Sequence, residues 1–136
     1  MFLNDLSQVE KKAFLSLAVQ AAQSNDDLAA EQEAMIKEYC RETGFATFDI
    51  EKAESMDALI ELFKNSAVQN RKIVLLETVG LMYADGTYDE TEKAFVSKLA
   101  DEIGLSAETK KKLETLIERY LDLTKDILEC ITQETV

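Results

Sequence analysis

Between residues 83 and 92 the chain reads Tyr83-Ala84-Asp85-Gly86-Thr87-Tyr88-Asp89-Glu90-Thr91-Glu92, which sets four carboxylates around an Asp-Gly turn. Oxygen ligands gathered at a turn suit a hard divalent cation such as Ca2+ or Mg2+. The candidate ligands are Asp85, Asp89 and Glu92, with Glu90 beside them. A purely structural reading competes. Asp89 stands where a helix N-cap belongs, Glu92 lies three residues on as in a capping box, and Glu90 adds charge that the dipole of a first turn favours. Capping accounts for those three without a metal. It does not account for Asp85, because the same dipole opposes an acid at the end of the preceding helix. The spacing is not that of an EF-hand, whose loop alternates its ligands and closes on a Glu at the twelfth position.

Sixty residues earlier, Asn25 and Gln32 occupy the positions of Asp85 and Glu92. Amides are weaker cation ligands than acids, although Asp26, Asp27, Glu31 and Glu33 lie close by and could compensate. The expectation is a weaker second site at Asn25, Asp26, Asp27 and Glu31; the alternative is that Asp26 or Asp27 simply caps the helix that follows. Catalysis finds little support. The chain has no histidine, so the usual general base near neutral pH is missing. Neither Cys40 nor Cys130 has an obvious activating neighbour, and no P-loop or dinucleotide fingerprint occurs. A carboxylate hydrolase would need a deep pocket with converging acids. The expectation is a protein that is not an enzyme. Lys110-Lys111-Lys112 reads as a solvated helix face.

The elements that must position these groups are helices. With no proline, four glycines and long runs of Ala, Leu, Glu and Lys, the chain favours helix over a turn-rich β fold. Its 136 residues fit one domain, 1–136. Ser7 and Glu10 form a capping box that opens a mostly buried helix running to about Gln23. A second helix covers Ala30 to Thr43, with Ala34, Met35, Tyr39 and Cys40 at core spacing, and Gly44 ends it. Ile50 to Phe63 is helical with a break near Ser55. Val68 to Tyr83 is the most apolar stretch and reads as the central helix. Helices follow from Glu90 to Ile103, stopped by Gly104, and from Ser106 to about Thr132. The last carries a stripe from Leu113 through Ile117, Tyr120 and Ile127 to Ile131. Residues 11–45 match residues 71–105 without a gap, with Lys12, Leu15, Val19, Ala34, Glu42 and Gly44 meeting identical residues. The expected fold is all-α: one helical bundle of about six to seven helices, built on two helix-turn-helix hairpins related by that repeat.

A net charge of −12 repels nucleic acid and anionic lipid, and is compatible with cations or with a protein that has a basic surface. It also keeps a protein soluble without further purpose. No apolar run approaches the roughly 18 residues of a membrane span, and no signal peptide is evident at the start. The expectation is a cytoplasmic protein with reduced thiols, Cys40 in the core.

The stretch 83–92, after an apolar helix and before Phe95-Val96, resembles the TerB-like family, named for bacterial tellurite resistance and also found as a domain of some membrane-anchored J-domain co-chaperones. The matching residues are Ala84, Asp85, Gly86, Tyr88 and Glu92, with Gly104-Leu105 closing the helix, and the resemblance spans roughly residues 8–125. It implies an all-helical fold of two related halves, surface acids proposed to chelate metal, and a role in stress-response assemblies rather than an enzyme activity. The family's acids fall on Asp85 and Glu92. In the first half they would fall on Asn25 and Gln32, which bears against a paired two-site arrangement. The functional expectation is therefore a divalent-cation-binding and protein-interaction module of bacterial stress response. The alternative is a metal-free acidic interaction module.

Overall fold

The computed structural model describes residues 1–23, 30–45, 54–84 and 86–136. Among these are a short 3-10 helix, Leu3–Asp5, and six α-helices: α1 Gln8–Ala22, α2 Ala30–Thr43, α3 Met56–Lys64, α4 Val68–Met82, α5 Glu90–Glu102 and α6 Ala107–Thr132. No strand occurs among the described residues. Serines open three of the helices. Ser7, Ser55 and Ser106 each accept an amide proton from the third residue onward, satisfying a donor the helix itself cannot. Ser7 is answered by the carboxylate of Glu10, 2.9 Å from its amide, which completes the expected capping box. The break expected near Ser55 is that cap. Residues 50–53, expected to begin this segment as helix, lie outside the described residues.

Helices α1 and α4 are the buried pair. Each packs on the other, α1 also on α2 and α3, and α4 also on α5 and α6. Phe14, Leu15, Leu17 and Ala18 of α1 meet Val74, Leu75, Val79 and Met82 of α4 in one core, all of them fully buried. At about 1.5–3 kcal/mol for each large side chain, this interior is the main favourable term holding the bundle. Tyr39 of α2 stands edge-on to Phe14, ring centroids 5.2 Å apart, and donates its hydroxyl proton to the carbonyl of Glu77. Cys40 lies in the core, as expected. Ala34 does not: it is exposed on α2, as are Val9 on α1 and Ala94 on α5.

The helix boundaries follow the 60-residue offset: α1 and α4 start and end 60 residues apart, and α2 and α5 start 60 apart. The two helix ends match as well. Gly44 and Gly104 adopt φ of 84° and 79°. The amides after them reach back to the carbonyls of Cys40 and Ala100, at 3.0 and 2.8 Å. Only glycine enters that left-handed region without strain.

Along the apolar stripe of α6 only Ile117 is buried and Leu113 partly so. From Glu118 onward nearly every residue of α6 is exposed, because the helix runs on past the end of the helices it packs against.

Candidate functional site

The bend between α4 and α5 is built by local bonds. The chain leaves α4 at Tyr83, the amide of Gly86 returns to the carbonyl of Tyr83 at 3.0 Å, and Gly86 takes φ of 86° to reverse direction. Asp89 then caps α5. Its Oδ1 accepts from the amide of Glu92 at 2.8 Å, and Glu92 Oε1 accepts from the amide of Asp89 at 3.1 Å. Both arms of a capping box are therefore closed.

Glu92 is 1% exposed, which a lone carboxylate would not tolerate. Besides the cap amide, it accepts a bond at 3.2 Å from Nε2 of Gln32, itself buried on α2. So the amide at position 32 is a donor that holds the acid at position 92. A second tie has the same form: Nδ2 of Asn70 on α4 lies 2.9 and 3.2 Å from the carboxylate oxygens of Glu10 on α1. Burial works against the charge of Glu10, but the Ser7 amide, Ser66 and Asn70 outweigh it and hold its carboxyl below the usual value.

Of the expected ligands, the structure brings Asp89 and Glu92 together. Glu90 is not brought to them: its side chain is 94% exposed and its carboxylate lies 3.6 Å from Lys93. Glu31 is exposed in the first turn of α2. Asp85, Asn25, Asp26 and Asp27 lie outside the described residues. Among the described residues no group of three or more His, Cys, Asp or Glu side chains is gathered as metal ligands would be.

Beside the bend is a cluster that sequence reasoning missed. Tyr83 and Tyr88 stack at 4.6 Å and donate to Glu118 and Glu114 of α6, at 2.5 and 2.6 Å. Lys110 completes it, 3.3 Å from Glu114, so this lysine is paired where a solvated one was expected. Burial, then the neighbouring carboxylates, raise both phenols well above their ordinary value. The four-residue spacing of Glu114 and Glu118, which puts them on one helix face, could have flagged two acids. Nothing local says that two tyrosines meet them.

An acidic, all-helical bundle whose central helix is followed in sequence by Ala-Asp-Gly defines the class of protein. The chain matches the family described as "Tellurite resistance protein TerB" over residues 4–115, and it belongs to that family. No curated protein and no solved structure matches it. Among the described residues no helix is long and apolar enough to cross a membrane.

Proposed function

We propose that this TerB-family chain is a non-enzymatic protein-interaction module acting in a stress response of the tellurite-resistance kind. The observation that carries the reading is the second half of α6, where Tyr120, Leu123, Ile127, Leu128 and Ile131 stand 49–71% exposed on a helix beyond the core. Contiguous apolar surface rimmed by charge is what a docking site looks like. The chemistry of the remaining groups supports a binding role. Tyr39, Tyr83 and Tyr88 hold their protons more firmly than free phenols, and burial does the same for the thiol of Cys40. None of them is poised to exchange a proton near neutral pH. The charge of −12 favours partners with a basic surface over nucleic acid or anionic lipid. The test is made in the native host challenged with tellurite. A chain carrying Leu123→Asp and Ile127→Asp should lose protection while remaining folded and abundant; undiminished protection overturns the reading.

A second reading, a divalent-cation module at the α4–α5 bend, is favoured by the meeting of Asp89 and Glu92 within one turn of a reversing chain. Carboxylate oxygens are the ligands a hard ion such as Ca2+ or Mg2+ takes. Calorimetry with both ions on the wild-type chain and on Asp85→Asn should show heat that the variant loses. No heat in the millimolar range ends this reading.

A further inference from the structure

We propose that the free half of α6 pairs with the same segment of a second copy, antiparallel, and makes the protein a dimer. This rests on the reading of α6 as an interaction surface and names its occupant.

The sequence of the segment is regular in sevens. Counting Ile117 as position a, positions a and d hold Ile117, Tyr120, Thr124, Ile127 and Ile131, and positions e and g hold Leu116, Leu121, Leu123, Leu128 and Cys130. The hydroxyl of Thr124 donates to the carbonyl of Tyr120 at 2.9 Å, so its methyl group is what the face presents. Every charged residue from Glu118 to Glu129 falls at b, c or f: Glu118, Arg119, Asp122, Lys125, Asp126 and Glu129. A seam bordered by charged e and g residues would specify a simple parallel pair. Here those borders are apolar as well, which calls for closer and broader burial. A free helix of about 15 residues is marginal in water, so the segment needs a constant companion.

The face is complementary to itself when one copy is reversed. Setting Thr124 against Ile127 of a second copy sets Tyr120 against its Ile131, Leu121 against its Leu128 and Leu123 against its Cys130. The two smaller side chains, Thr124 and Cys130, then each meet a larger one. The lengths agree. In this register the end of α6 at Thr132 comes level with Arg119, where the body of the other copy begins. Near it lies a groove lined by Lys72, Lys112, Glu108, Leu113 and Leu116, where two lysines against one acid suit the negative end of the incoming helix. That contact extends each side beyond the helix itself, toward the roughly 20–30 residues that a stable dimer interface uses. The antiparallel arrangement also holds two bodies of like charge at opposite ends of the pair, where salt screens them beyond about 8 Å. The segment lies past residue 115, where the family match ends.

Sedimentation equilibrium of the full chain at micromolar concentration should read twice the chain mass, and the Leu123→Asp/Ile127→Asp chain should read one. An equimolar mixture of wild type with a Leu123→Cys/Cys130→Ser chain should be captured as a covalent dimer by a short bismaleimide, faster than either chain alone. Cys40 is buried and does not compete. A wild-type mass of one chain overturns the proposal, and a dimer with no preference for the mixture overturns its antiparallel register. If the wild type is monomeric while the double-Asp chain still loses protection against tellurite, self-pairing falls and the interaction reading stands. If the wild type is dimeric and its disruption leaves protection intact, the reverse holds.

Discussion

Glu92 shows how one acid can be both a cap and a tie. Its two carboxylate oxygens serve the Asp89 amide and the Gln32 side chain, in surroundings that exclude water. Glu92→Ala strands both donors and opens a cavity, so chemical denaturation should show a loss of about 2–4 kcal/mol. Glu92→Gln keeps the shape and an acceptor, and should lose no more than about 1.5 kcal/mol. Equal losses in the two variants would mean that charge, not the bonds, is what the site needs. Glu10 carries a pH dependence. Its folded carboxyl lies below the ordinary value, so its contribution is present above the unfolded value of 4.5 and drains away as pH falls through the folded one. Asn70→Ala removes one of the bonds that depress it. That variant should be less stable at neutral pH and lose less on acidification, read from melts at pH values above and below the carboxylate range. Both capping boxes were legible in the sequence, because their members sit three residues apart. The bonds from Gln32 and Asn70 were not, since they depend on helices distant in sequence meeting in space.

The helices themselves were legible at nearly residue precision, from serines and aspartate at their starts and glycines at their ends. What α6 packs against was not. An apolar stripe states that a face is to be covered; it carries no mark of whether the cover comes from the same chain. The glycines separate by environment. Gly80 lies inside α4, where an added Cβ would meet Ile117 and Met35 at ordinary contact distances of 3.8 and 3.9 Å. Gly80→Ala should therefore raise stability by about 0.5–1 kcal/mol, since alanine suits a helix interior better. Gly44→Ala should cost about 1 kcal/mol for the left-handed backbone alone. Gly104→Ala should cost more, because its Cβ would sit 3.0 Å from Nη1 of Arg71, a group already donating to the carbonyl of Ile103. Thermal melts of the three variants check the order; Gly104→Ala at or above Gly44→Ala in stability would contradict it.

Across the whole molecule, phenols rather than histidines govern the alkaline side. Tyr39, Tyr83 and Tyr88 all have raised folded values, for which burial is the leading cause. Each contributes stability fully below the unfolded value of 10, and that contribution is lost as pH rises beyond it. Ultraviolet titration of the four tyrosines should develop only part of the tyrosinate absorbance just above pH 10, the rest appearing with alkaline unfolding; a single smooth titration at the free value would refute this. The all-helical fold was readable because composition favours helix and Ser, Asp or Gly marks several of the boundaries locally, and the family resemblance was carried by the ten residues of the bend. The bonds between positions 60 apart have a last consequence. Each joins one acid to one amide, Glu10 to Asn70 and Gln32 to Glu92. Two acids would repel there. A buried ionised acid needs a donor opposite it, and in each pair the amide at the matching position supplies one. Gln32 is then no faded ligand, but the price of giving its twin a charge.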